Sequence, residues 1–360
     1  MGTFVTGKQN AMRLHTTLLA ILLVSCPALP VAAGDCPALP EITATCVSTP
    51  QGWFYGKDSA DAEGLANAAA EASTLFTRYF ARPAPRGALL STGTGASITP
   101  AQDAALKAAG AQWVLPWLDA DDRRALVENR IREQVRKQLG EAATPAVVEA
   151  ATAQALSQAT RPGPGGDTTS HSALRHEVGH MLLTHAFWPR TSDDVRAGGR
   201  SYGGDGPDWL DETAAVLMED DAMADSRRSR LPDVAGRTGG LMPLATFFVA
   251  QHPLAAMLEE AGGIDDGSSI RLVQGEEAAR LAERGQDFYT QARAFADFLI
   301  ATSGDPQVFA GITEALAAGR DMEDWLGMQG EAHHLPSNVE ALQVQWQAWV
   351  DATIRAPHID

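Results

Sequence analysis

The chain has 360 residues, 45% of them hydrophobic, and a formal net charge of −17. That is enough chain to bury a large core. The acid excess argues against a nucleic-acid partner, whose phosphates it would repel.

Residues 1–33 read as an export signal, with Lys8 and Arg13 ahead of an apolar run, 18–24, too short to span a bilayer. Translation starting at Met12 would give a more compact leader. Two processing signals compete. Val31-Ala32-Ala33 suits signal peptidase I, and Leu23-Val24-Ser25-Cys26 resembles a bacterial lipobox that would place a lipid anchor on Cys26. The expected location is outside the cytoplasm: periplasmic, extracellular, or an envelope lipoprotein. No transmembrane span is expected in the mature chain. The later apolar stretch 241–258 is interrupted by Pro243, Gln251, His252 and Pro253. Cys36 and Cys46 could close a small loop in an oxidising compartment. The alternative is two free thiols.

Periodicity predicts a helix over 58–80, with Leu65, Ala69, Ala72, Leu75, Phe76 and Phe80 on one face. The proline-rich 81–86 breaks it, and a strand succeeds it over 87–91. Thr99-Pro100 starts a short helix to 109. A strand over 111–118 is confined to an edge or an end by Pro116. A charged helix over 119–139 and another from Thr144-Pro145 read as a plain surface hairpin rather than a cover for a cleft. The glycine-rich 161–167 separates this hairpin from the next helix.

Residues 172–188 hold His176-Glu177-Val178-Gly179-His180. Leu174, Val178, Met181, Leu182 and His185 recur at helical spacing, with N-caps offered by Thr168, Thr169 and Ser170. Two histidines four apart on a helix project from nearly the same face, about 400° of turn apart. They can bind one Zn²⁺ and leave room for a third ligand and a water. Glu177 stands beside that water as general base. This is the HExxH pattern of metallopeptidases. A metzincin would need a histidine at 186 and a glycine at 183. Ala186 and Leu183 occupy those places, and His185 is one residue, about 100°, out of position.

Downstream stands Pro207-Asp208-Trp209-Leu210-Asp211-Glu212-Thr213-Ala214-Ala215. It resembles the second motif of the gluzincin metallopeptidases, W-L-x-E-(G/T)-x-A. The resemblance implies that Glu212 is the third zinc ligand, on a second helix packed against the first. It makes Ala215 the small residue that lets the helices approach, with Trp209 and Leu210 buried. Asp208 and Asp211 are alternative oxygen ligands by type, but Asp211 would face about 100° away from Glu212. The glycine-rich loop 188–208 joins the motifs, and its Tyr202 reads as a surface or packing residue.

The second helix is expected to run to about 221, with an acidic end that is unfavourable at a helix C-terminus. Turns over 226–275 include a short apolar helix near 243–250. An amphipathic helix covers 286–303, with Ala292, Phe295, Ala296 and Leu299 inward and Tyr289 in its first turn. In gluzincins a Tyr or His from this lobe donates to the tetrahedral oxyanion, so the resemblance implies that role for Tyr289. His252, His333 and His334 are weaker candidates, read as solvated loop histidines. Two more helices close the chain. One starts at Asp305-Pro306. The last is capped by Ser337, with Val339, Leu342, Trp346 and Val350 inward.

The expected fold is α+β and zincin-like. A small mixed sheet precedes the active-site helix, and a mainly helical C-terminal lobe comes after it. The divisions are 1–33, an N-terminal α/β lobe over 34–165, and the zinc-binding helices with the helical lobe over 166–360. The expected function is zinc-dependent hydrolysis of a peptide or protein substrate. His176, His180 and Glu212 hold the metal, and Glu177 and Tyr289 do the chemistry. The alternative is an inactive zinc-binding envelope protein on the same scaffold. Endo- and exopeptidase activity stay equally open.

Overall fold

The structure is a computed structural model that describes residues 35–40, 44–91, 98–118, 120–140, 144–159, 167–189, 205–253, 255–256 and 275–355. The expected leader with Cys26, and Tyr202, lie outside the described residues.

Strands β1 (Thr45–Thr49) and β2 (Gly52–Gly56) form an antiparallel hairpin. Helix α1 (Ser59–Phe80) crosses from β2 to the parallel strand β3 (Gly87–Ser91), and α2 (Pro100–Ala108) crosses from β3 to the parallel strand β4 (Trp113–Trp117). The strand order is β1-β2-β3-β4. Pro116 therefore sits on an edge strand, as its missing N–H requires. The β1–β2 hairpin has no counterpart among the sequence expectations. Side chains alternate between two faces, as the pleat demands. Trp53, Tyr55, Ala88, Leu90 and Val114 pack with Leu106 of α2. Phe54, Leu89, Trp113 and Trp117 join α1 in the main core.

A disulfide joins Cys36 to Cys46, so the N-terminal segment is tied to β1. The Tyr55 hydroxyl donates to Pro37 O at 2.7 Å, and Gln102 Nε2 donates to Pro40 O at 2.9 Å. Asp58 caps α1 by accepting from Asp61 N. Thr99 and Gln102 make the capping box that starts α2.

Helices α3 (Ala120–Leu139) and α4 (Pro145–Ala159) form a hairpin that buries Ile131, Val148 and Thr152. Then come α5 (Asp167–Phe187), α6 (Asp208–Met218), α7 (Asp221–Gly236), α8 (Gly275–Ser303), α9 (Val308–Ala317) and α10 (Val339–Arg355). The fold is α+β, with a four-stranded mixed sheet succeeded by helices. Among the described residues no helix is long and apolar enough to cross a membrane.

Several boundaries differ from expectation. Helix α5 already begins at Asp167, so Thr168, Thr169 and Ser170 lie inside it and are not its caps. Helix α6 stops at Met218, and Glu219 is extended. Asp220 then caps α7, accepting from Met223 N, so the acidic run is a junction rather than a helix end. Helix α8 starts at Gly275, which puts Tyr289 in mid-helix. For α10 the capping side chain is Asn338, which accepts from Ala341 N. Leu342, Trp346 and Val350 are buried as expected, and Val339 is half-buried.

Candidate metal centre

Helices α5 and α6 pack against each other, and small residues set how close they come. A Cβ on Gly179 would lie 2.8 Å from Ala215 Cα and 3.0 Å from Met218 Cγ. Gly179 and Ala215 thus form one contact, and Ala215 has the role expected of it. Trp209 and Leu210 are buried, also as expected. At the far end, Arg175 Nε donates to Met218 O at 2.7 Å and Nη2 to Glu219 O at 3.2 Å. A cation there satisfies carbonyls that a helix C-terminus leaves open. Its Nη1 reaches Glu71 on α1 at 2.8 Å.

This packing brings His176, His180 and Glu212 together, all buried, with potential ligand atoms within 4.8 Å of one another. These residues could hold a metal ion. His176 Nε2 lies 3.5 Å from Glu212 Oε2, and His180 Nε2 lies 3.8 Å from Oε1. The other ring nitrogens are held by carboxylates. His176 Nδ1 is 2.9 Å from Glu219 Oε1, and His180 Nδ1 is 2.9 Å from Asp211 Oδ2. A carboxylate on Nδ1 fixes each ring and leaves Nε2 for a metal. Arg227 grips Glu219 through Nε, at 2.7 and 3.0 Å from its two oxygens. The same guanidinium lies 4.6 Å from the centre of the Tyr289 ring.

Burial and close pairing together set the electrostatics. Burial disfavours the imidazolium of His176, but Glu212 and Glu219 outweigh it and raise the pKa to about 9. Burial acts likewise on His180, and Asp211 and Glu212 raise it to about 10. Burial pushes the Glu212 carboxyl up, yet His180 and His176 prevail and bring it down to about 2. Burial raises Asp211. For Glu219, burial is outweighed by His176 and Arg227, and the pKa falls.

The donor set fits a metal. Glu212 is 0% exposed, and among the described residues neither of its oxygens has a well-formed hydrogen bond. A buried carboxylate in that state is costly. A cation among its oxygens and the two Nε2 atoms removes the cost. Two imidazoles and one carboxylate are a known three-ligand set for zinc. The chain matches no family model, no curated protein and no solved structure. Its functional reading therefore rests on this geometry and on the two motifs.

The remaining expected residues can be placed. Glu177 is half-buried, and its charge acts on both His180 and His252. Tyr289 is half-buried, with its ring centre 5.5 Å from that of His176. Asp211 serves His180 instead of joining the ligand group. Asp208 Oδ2 accepts from the backbone N of His252 at 2.6 Å. His333 stacks on Trp325 with ring centres 5.5 Å apart, and neither it nor His334 joins the group.

His252 requires a correction. It is not the solvated loop histidine expected: it is 0% exposed, with Nε2 3.3 Å from Glu212 Oε1. Loop position alone does not reveal burial; the apolar run 244–250 leading into it is the available signal. Glu219 and Arg227 also escape sequence reasoning as site residues. Glu219 lies just past the end of α6, in an acidic run that does not single it out.

Proposed function

We propose that the chain is a zinc-dependent peptidase of the gluzincin type, exported from the cytoplasm. What carries this reading is the convergence of two motifs 32 residues apart on one buried carboxylate, with Glu177 adjoining the ligand His176. His176 and His180 would hold the ion through Nε2, and Glu212 through a carboxylate oxygen. A bound zinc ion lowers the pKa of water and polarises a carbonyl.

Glu177 accepts the proton from the attacking water. It then delivers that proton to the amine nitrogen as the peptide bond breaks. The Tyr289 hydroxyl donates to the oxygen that gains charge at the tetrahedral stage. Arg227 over the Tyr289 ring and His252 tilted against it limit how far that ring can swing. Asp211 and Glu219 hold the imidazoles in register throughout. The net charge of −17 disfavours nucleic acid, and a peptide or protein is the substrate class.

The test has two parts. Metal content is measured by mass spectrometry on the protein made without residues 1–33, wild type beside Glu212→Ala. One zinc per chain, reduced in the variant, is expected; no zinc in a folded protein never exposed to chelator overturns the metal site. A peptide-library digest then compares wild type with Glu177→Gln. Cleavage should fall by about 10²–10⁴-fold with zinc retained. Appreciable turnover by the variant would sink the mechanism, and a zinc-loaded wild type that cleaves nothing would leave a binding protein on this scaffold.

A further inference from the structure

Helix α6 and its exit supply one ligand, Glu212, and two carboxylates that face the ligand histidines. Glu219 is hydrogen-bonded to His176 Nδ1 at 2.9 Å, and Asp211 Oδ2 lies in ion-pair contact with His180 Nδ1 at 2.9 Å. The third ligand, Glu212, has no such anchor on its own helix, and no well-formed hydrogen bond among the described residues. The nearest imidazole nitrogen to it belongs to His252, at 3.3 Å from Oε1, against 3.5 and 3.8 Å for the two motif histidines.

We infer that His252 is a positioning residue for Glu212: its Nε2 lies 3.3 Å from Oε1 and draws that oxygen towards itself, which leaves Oε2 as the oxygen offered to the metal. This rests on the metal-site reading above.

Three observations carry it. First, His252 falls outside the group of atoms that lie within 4.8 Å of one another, so it addresses Glu212 rather than the ion. Second, it is completely buried, which removes it from contact with substrate and from the oxyanion role. Third, its place is built. Asp208, one turn before Glu212 on α6, accepts its backbone N–H at 2.6 Å. The ring stands edge-on to Phe288 and tilted over Tyr289, each with centres 5.7 Å away. Residues 208 and 212 share one helix face. Helix α6 therefore carries both the ligand and the anchor of the residue that orients it. A carboxylate with one oxygen so engaged binds monodentate and leaves a coordination position for water, as a catalytic site needs.

The experiment measures zinc affinity by competition with a chromophoric chelator for wild type, His252→Gln and His252→Leu. Cobalt-substituted absorption spectra and metal-free melting temperatures accompany it. Glutamine keeps an N–H donor, and leucine keeps only volume. The expected result is a loss of about 10–100-fold in affinity for His252→Leu, with His252→Gln close to wild type and sharing its cobalt spectrum. Wild-type affinity in His252→Leu overturns the inference and leaves the metal site standing. Equal losses in both variants, matched by equal drops in metal-free melting temperature, show a packing role only and also overturn it. X-ray absorption that counts three histidine nitrogens on the metal in wild type and two in His252→Leu makes His252 a ligand, which overturns it as well. Absence of zinc from wild type fails the site reading itself.

Discussion

Two helical pairs of this molecule use charge in opposite ways. In the α3–α4 hairpin, Arg132 meets Glu149 at 2.8 Å and Glu128 across one turn, on the surface. Water screens such pairs, and they hold little. In the α5–α6 pair, His176, His180, Asp211, Glu212 and Glu219 are all buried, and each has a specified neighbour. Charges in a low-dielectric interior are tolerated only when geometry pairs them closely. The difference separates a surface that needs only net solubility from a site whose geometry must be held against a large desolvation cost.

Four measurements would sharpen or break that contrast. The largest effect is expected from Arg227→Met, which leaves Glu219 buried without its guanidinium. Denaturant unfolding should show a loss of about 3–5 kcal/mol. A change no larger than that of an exposed arginine would mean the buried network carries no stability.

Next comes pH. In the metal-free protein the raised His176 and His180 contribute stability that is fully present below about 6.5. It is lost as pH rises through about 9 and 10. The depressed Glu212 acts at the other end, its contribution disappearing only as pH falls through about 2. A metal binds the neutral imidazoles, so the rise in melting temperature caused by zinc should grow with pH. Melts across pH 6–10, with and without zinc, should therefore diverge; parallel curves would contradict the site.

Gly179→Ala tests the contact that brings the ligands together. Its Cβ would press on Ala215 Cα, a backbone atom, and overpacking costs about 1–3 kcal/mol. Zinc affinity should fall with it. A fully tolerated alanine would show that the helix pair has slack.

The smallest effect belongs to Arg132→Ala in the surface hairpin, where no resolvable change in melting temperature or zinc affinity is expected. A clear loss of zinc there would tie the hairpin to the site.

Much of the fold is readable from the sequence, for identifiable reasons. Helix α1 shows its apolar stripe; strands β3 and β4 sit between clear turn signals, and Pro116 marks its own edge. His176 and His180 are legible because their spacing matches a chemistry that permits few arrangements, and Glu212 because its segment resembles the second gluzincin motif. The β1–β2 hairpin is not, since Thr45–Thr49 has little hydrophobic pattern and depends on its neighbour strand. Glu219 and Asp220 look like one acidic run, yet one anchors His176 and the other caps α7. His252 looks like any loop histidine.

By itself the sequence determined two of the strands, the candidate ligand trio, the candidate general base and the helices other than α7, which stands where turns were expected. Each is encoded by local periodicity, by capping or by a short motif. Only the tertiary structure decided what stands behind the ligands: Asp211 on His180, Arg227 and Glu219 on His176, and His252 on Glu212. Glu219, for one, lies 43 positions from the histidine it addresses. The reason is physical. A buried charge is satisfied by whatever group the packing brings to it, and that is a property of distance in space, which spacing along the chain does not carry.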